Sequence, residues 1–259
     1  MWLDALRETL DNASEPVDFF FRDDDVGRRD DRLWALLDLF RDRALPVDLA
    51  VIPNELGPLP ARELGARVAD DAQRIGVHQH GLAHANHEPG GRKFEFGPSR
   101  DLSQQRHDIS RGRRRLEDLL GSAVQPIFTP PWNRCTAVTG QCLVELGFRV
   151  LSREWRAARL SRPDLQELPV RVDWFAHRKQ VRLTRSEFGA LLADSVGGPG
   201  PTGIMFHHAV MDRDERSAAG CLLQLLADHP RARVHSMLTL AEAGALPAPI
   251  VGVRPGRRS

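Results

Sequence analysis

The chain has 259 residues, 41% of them apolar and 27% charged, and its formal net charge is +1. That length suits one large α/β domain or two small ones, with the composition of an ordinary globular protein. So even a charge balance carries no electrostatic signature for nucleic acid or an anionic membrane, and neither is expected as a partner.

The opening stretch "MWLDALRETLDNASEP" reads as an amphipathic helix with Trp2, Leu3, Leu6 and Leu10 on one face. Its early Asp4 and lack of an apolar h-region argue against a signal peptide. No segment reaches the length of a membrane span, so a cytoplasmic location is expected. Residues 17–22 read as a strand buried on both faces, because Phe19, Phe20 and Phe21 run together. The strand ends in Asp23, Asp24 and Asp25, three like charges that need a cation or a proton nearby. A helix follows over 30–43, a strand over 46–53, and a helix over 60–73. The next strand, 74–78, enters a loop holding His78, His80, His84 and His87. Residues 99–121 form a long helix with Gly121 as its stop.

The alternation then repeats. Strands are expected over 126–133, 148–152, 168–175 and 202–208, with helices over 136–147, 184–197 and within the run "ERSAAGCLLQLLADHP". A last strand and helix lie in "ARVHSMLTLAEAG". About seven β/α alternations without a linker predict a single α/β domain built on a parallel, barrel-like sheet, with its core over roughly 17–245. The Pro-, Gly- and Arg-rich run 247–259 is expected to be a flexible tail. Cys135, Cys142 and Cys221 are too sparse for a disulfide framework and fit no zinc spacing, so they are expected as reduced thiols.

In parallel α/β folds, sites form at the carboxyl ends of strands. Three such ends carry polar chemistry here: Asp23–Asp25, the His78–His87 cluster, and His207 with His208. His80 and His84, four apart, would share one face of a helical turn. With a carboxylate from Asp24 or Asp25 they make a two-His, one-carboxylate set with open positions for water. A dication there lets one Asp stay ionised as a ligand while a neighbour acts as general base. One of the three Asp residues is expected simply to cap the following helix.

Taken in order, the acidic run, His80-x-x-x-His84, "FTPPW" (Phe128–Trp132) and the late apolar-x-His resemble the polysaccharide deacetylase family, the NodB-homology carbohydrate esterases. The resemblance covers roughly residues 17–210. It implies a distorted parallel (β/α)7-type barrel, one divalent metal, usually zinc, and removal of N-acetyl groups from amino sugars. Matched residue by residue, it makes Asp25, His80 and His84 the metal ligands and Asp24 the base. A shift by one residue would make Asp23 the base and Asp24 the ligand. The late general acid falls on His207 or His208; adjacent strand residues face opposite ways, so only one can point into the mouth, and His207 is favoured.

Trp132 would line the sugar site, its backbone N–H joining the oxyanion site, and Asp173 with Trp174 would hold a histidine and wall the pocket. The chain departs from the family at Thr129, where an arginine that orients the base is expected. Arg22 and Arg134 are the two candidates to replace it. His78 is expected to pack or hydrogen-bond rather than ligate, and Lys93 with Glu95 to form a surface ion pair. The expected partner is an N-acetylated carbohydrate or other small molecule. The rival readings are hydrolysis of another small-molecule C–N bond at the same metal, and an inactive carbohydrate-binding relative.

Overall fold

The computed structural model describes residues 1–160, 162–178 and 181–244; the expected tail, 247–259, lies outside the described residues. In chain order the elements are α1 (Asp4–Asp11), β1 (Val17–Val26), α2 (Asp30–Arg41), β2 (Val47–Val51), α3 (Pro58–Asp70), β3 (Ile75–His80) and α4 (Leu102–Leu120). There follow β4 (Val124–Thr129), α5 (Ala137–Glu145), β5 (Val150–Leu151), β6 (Gln166–Glu167), β7 (Val170–Asp173) and the short pair β8 (His177–Arg178) and β9 (Val181–Arg182). The chain then forms α6 (Arg185–Val196), β10 (Thr202–Phe206), α7 (Arg213–Asp228), β11 (Ala232–Val234) and α8 (Met237–Gly244).

The main sheet is parallel throughout and curls in the order β6-β5-β4-β3-β2-β1-β10-β7. Its two ends are one continuous piece of chain. Leu168 N donates to Leu151 O at the end of β5, and Val170 N donates to Arg153 O beyond it, while Val170 also pairs with Gly203 of β10. Residues 166–173 therefore serve both edges, and the ring is a distorted (β/α)7-type barrel, as expected. Closing the ring in this way removes the exposed edges that an open sheet would leave.

Alternation along each strand divides the core into two layers. Phe19 and Phe21 face the helices; Phe21 lies 5.1 Å from Phe40 and stacks on Phe206 at 5.7 Å, ring centre to ring centre. Phe20 points the other way and packs with Ile127, Val150, Leu168, Val170 and Met205, one or more from strands all round the ring. That second cluster is the barrel interior. A fully buried Phe there contributes on the order of 1.5–3 kcal/mol.

The lower end of the barrel is plugged. β11 pairs with the first residues of β1, Val17 opposite Ala232 and Phe19 opposite Val234. This delivers α8 to the opening, where Met237 and Ala241 join the interior cluster. Met237 N donates to the buried Asp48 Oδ2 at 2.8 Å, so a β2 side chain caps the plug helix from inside. α4, the longest helix, starts on a capping box in which Asp101 and Gln104 satisfy each other's backbone N–H. Among the described residues no helix is long and apolar enough to cross a membrane.

Candidate metal centre at the barrel mouth

β1 does not stop at Arg22. It runs on through the acidic residues to Val26, where Val26 pairs with Val51 of β2 after a shift in register. The three carboxylates are therefore dealt out to different surroundings. Asp23 faces the helices: it accepts from His208 N at 2.9 Å and from His208 Nδ1 at 2.5 Å. Asp24 faces the interior and receives Arg22 in a two-pronged pair, Nε at 2.7 Å and Nη2 at 2.9 Å. Asp25 sits at the rim with φ of 67°, a left-handed conformation that is uncommon outside glycine. The repulsion among the three carboxylates is thus relieved partly by separation and partly by dedicated partners, Arg22 for Asp24 and His208 for Asp23.

His80 is the last residue of β3, but His84 is not on a helix. Gly81, at φ +60°, turns the chain sharply; a Cβ there would collide with the Glu95 carboxylate and the Pro131 ring. His84 returns at φ 53° to face Asp25. The expected helical pairing of His80 and His84 is replaced by a glycine turn with the same outcome. Asp25 Oδ1 lies 3.6 Å from His80 Nε2 and 3.3 Å from His84 Nε2, and one ligand atom from each residue falls within 4.8 Å of the others. For a tetrahedral zinc with ligands near 2.05 Å, neighbouring donors should stand about 3.3 Å apart.

Two further observations fit a cation. Asp25 Oδ1 is buried and has no hydrogen-bond partner. His80 Nδ1 donates to Thr129 O at 3.0 Å, which fixes the tautomer and leaves Nε2 as the free lone pair aimed at Asp25. Burial and the neighbouring His80 hold His84 down at a pKa of about 4, so its imidazole is neutral and able to ligate at ordinary pH. Asp25 is desolvated, yet the neighbouring imidazoles, His80 first and then His84, hold it well below the usual carboxylate range. The donor set of two imidazoles and one carboxylate suits zinc, and also cobalt or iron, better than magnesium or calcium.

The guanidinium expected beside the base comes from β1 itself. Arg22 is fully buried, and besides Asp24 it donates to Ser152 Oγ at 2.8 Å and Asn133 Oδ1 at 2.7 Å. Arg134 points elsewhere, to Lys93 O at 3.4 Å. Burial would raise Asp24, but the Arg22 charge and hydrogen bonds outweigh it and hold the carboxyl below its ordinary value. Thr129 fills the vacated position and lies 2.9 Å from His78 Nε2. Burial pushes His78 down to a pKa of about 3, so it is a neutral packed imidazole there.

At the end of β10 the two histidines part. His207 opens to the mouth, with Nδ1 3.9 Å from Asp173 Oδ1, and its ring lies near enough to Asp24 and Asp25 to act on both carboxylates when it carries a proton. His208 turns outward and is fully buried, Nδ1 on Asp23 and Nε2 on Arg28 O at 2.7 Å. It is not available to a substrate in the mouth, which corrects its place among the expected catalytic residues. Trp174 is likewise corrected: it is 1% exposed, packs on Trp2, Phe188 and Phe206, and gives its N–H to Glu215 at 2.6 Å. It stiffens the outer core and walls nothing. Trp132 does line the mouth, its ring 4.4 Å from that of His84, with Lys93 Nζ 5.9 Å from it on the solvent side.

Glu95 is no surface partner of Lys93. It is buried and accepts from Leu82 N and Ala83 N, pinning the loop that carries His84. Asn133 and Ser152, which hold Arg22, escaped the sequence reading; isolated Asn and Ser residues carry no spacing that would flag them. Cys135, Cys142 and Cys221 are free.

No family model matches the chain, and no curated protein does. Solved structures do. A polysaccharide-deacetylase structure from Mycobacterium smegmatis superposes with a TM-score of 0.68 over 95% of this chain and 96% of that one, at 18% identity. The chain has the polysaccharide deacetylase fold. A family 4 acetyl xylan esterase from Clostridium thermocellum, in complex with a cobalt ion, shares that fold at a TM-score of 0.59 and 13% identity, over 89% of this chain and 93% of that one. So does a CE4 family pseudoenzyme from Bacillus anthracis, at 0.57 and 11%, over 88% and 66%. A polysaccharide deacetylase fold thus accommodates both active and inactive mouths, and only the residues of this one bear on its chemistry.

Proposed function

We propose that the chain is a metal-dependent hydrolase that removes N-acetyl groups from an amino sugar or oligosaccharide. The observation that carries this is the convergence of Asp25, His80 and His84 on one point, with Asp24 held beside them by Arg22. A divalent cation held by those three residues, zinc being the expected one, would acidify water and polarise the acetyl carbonyl. Asp24 is kept anionic by Arg22 and is in place to accept the proton that the attacking water loses. Its low basicity is tolerable because the water proton is itself made acidic.

His207, beside Asp173, delivers a proton to the departing nitrogen, which leaves poorly as an anion. Trp132 closes one side of the mouth against His84 and limits water there. The inactive-relative reading started from the missing loop arginine at Thr129. Arg22 pairs with Asp24 from β1, and that pairing supports the reading of an active mouth. Hydrolysis of another small-molecule C–N bond would use the same residues.

Acetate release from a panel of N-acetylated sugars, alongside metal analysis, tests the proposal. Expected are about one zinc or cobalt ion per chain and acetate release, both lost in His80→Ala and His84→Ala. A metal-free protein that binds sugars without acetate release would establish the inactive relative. Turnover of cyclic amides alone would move the substrate class.

A further inference from the structure

Two consecutive residues after the Pro130–Pro131 pair are left-handed, Trp132 at φ 55° and Asn133 at φ 58°. Asparagine visits that region readily, but a bulky residue there is a genuine outlier. Such a conformation costs free energy and persists only where its surroundings over-determine it, most often at functional sites. The turn has a backbone frame. Asn133 N donates to Pro130 O at 3.0 Å, and Arg134 N donates to Pro131 O at 3.2 Å. Pro131 packs closely on Gly81, where a Cβ would collide with its ring. Beyond that frame the Trp132 ring has little to fix it. It is half-buried and meets the His84 ring at 4.4 Å, and among the described residues no hydrogen bond holds its indole N–H.

Asn133 supplies a second anchor. Its Oδ1 accepts from Arg22 Nη2 at 2.7 Å, and its Nδ2 donates to Met205 Sδ at 3.4 Å. Arg22 Nη2 also reaches Met205 Sδ, at 3.0 Å. The Asn133 side chain is thus clasped between β1 and β10, which pair at Arg22 and Met205. The same Nη2 donates to Asp24 Oδ2 at 2.9 Å. One guanidinium nitrogen therefore bonds the carboxylate on one side and the turn that carries Trp132 on the other. Ser152 holds Nη1 and donates onward to Leu168 O, so among the described residues Asn133 alone joins the guanidinium to the turn.

Resting on the deacetylase reading for the mouth, we infer that Asn133 is a positioning residue: its side chain ties Arg22, and through it Asp24, to the left-handed turn, so that the base and the aromatic wall are set together. It need touch no substrate. When the tie is cut, the turn relaxes toward ordinary backbone angles, the indole leaves His84, and Arg22 holds Asp24 less firmly.

The five tryptophans of the chain give a readout that needs no turnover. With isotope-labelled tryptophan in the full chain, each indole N–H gives one NMR signal, and Trp132→Phe identifies the one from Trp132. Asn133→Gly leaves the left-handed backbone accessible and removes the tie, which isolates the side chain. The Trp132 signal should shift or broaden in Asn133→Gly while the other four stay in place. Asn133→Asp keeps an acceptor for Arg22 and tolerates the left-handed region, so it should return the signal to near its wild-type position. An undisturbed Trp132 signal in Asn133→Gly, or an equal disturbance in Asn133→Asp, would overturn the tie. Movement of all five signals would overturn it too, by making Asn133 a residue of the general fold.

Acetate assays on the same proteins keep the two proposals apart. A misplacement of about 1 Å costs about 10²-fold, so the kcat of Asn133→Gly should fall by about that factor, and Asn133→Asp should recover part of it. Wild-type kcat in Asn133→Gly would overturn the positioning role. A wild type that releases no acetate would sink the deacetylase reading, and the indole signals would still decide the tie.

Discussion

Arg22 and Asp24 form an ion pair that is buried on both sides, and such pairs are informative about function rather than about stability. Two long-range partners, Ser152 and Asn133, fix the guanidinium, so the carboxylate is presented in one orientation. Arg22→Met should leave an uncompensated buried carboxylate and cost about 3–5 kcal/mol at neutral pH. Because Arg22 lowers the Asp24 pKa, that cost is present above the unfolded value of 3.8 and fades as pH falls below it. Arg22→Lys keeps the charge and loses the two-pronged geometry, so its melts should stay nearer wild type while kcat drops about 10²-fold. Urea melts at pH 3 and 7 with acetate assays check both; wild-type kcat in Arg22→Lys would refute the orienting role.

Asp48 behaves in the opposite sense. Burial raises it to about 7, with one oxygen on Met237 N and the other unpartnered. The folded chain therefore holds a proton that the unfolded chain releases near 3.8, and stability should fall as pH climbs from about 4 to about 7 and stay lower above it. Asp48→Asn keeps the cap on α8 and should flatten that fall, with a gain over wild type of up to about 4 kcal/mol at pH 8. Melts across pH 4–9 measure it; parallel curves for the two proteins would rule it out.

At the scale of elements, the end of β10 shows how a strand's period assigns chemistry. His207 and His208 are neighbours, so one faces the mouth and the other the helices. His208 is bonded to two acceptors, the Asp23 carboxylate and the Arg28 carbonyl, so both ring nitrogens must carry hydrogen. Burial opposes that charge, but Asp23 outweighs it and raises the His208 pKa. Its stabilisation is present below about 6.5 and is lost as pH rises through the raised folded value. His208→Gln should thus cost about 1–3 kcal/mol at pH 6 and less at pH 9. His207→Gln should leave the melts unchanged and lower kcat by about 10²–10⁴-fold. An exchange of these phenotypes would invert the assignment.

The sequence pattern made most strands and helices legible, since a continuous apolar run marks Phe19–Phe21 and a helical period marks Leu33, Leu36 and Leu37. The candidate metal residues were legible because their spacing is unusual. The His84 turn was not, because a glycine at positive φ imitates the reach of a helix. Trp174 and Glu95 were misplaced because local sequence does not say which side of a strand or loop receives cover. The split of 166–173 between two sheet edges depends on closure, which no local pattern records.

In the whole molecule, the barrel is sealed below by α8 and open above, and the candidate ligands come from β1, β3 and the turn after β3. A cation there would tie together β1 and β3, which stand on either side of β2, and would bind the folded chain far better than the unfolded one. Ligation should therefore appear as stability, by RT ln(1 + [M]/Kd), about 4 kcal/mol at a thousandfold excess over Kd. For a chain of this size each kcal/mol moves the midpoint by about 2–4 °C, so zinc or cobalt should raise it by about 10 °C and a chelator should reverse the rise. His80→Ala, His84→Ala and Asp25→Ala should each abolish the shift, because two ligands hold zinc poorly, whereas Asp24→Asn should retain it while losing activity. A rise that persists in all three ligand variants would place the ion elsewhere on the surface, and the mouth would then lack the Lewis acid that the roles proposed for Asp24 and His207 require.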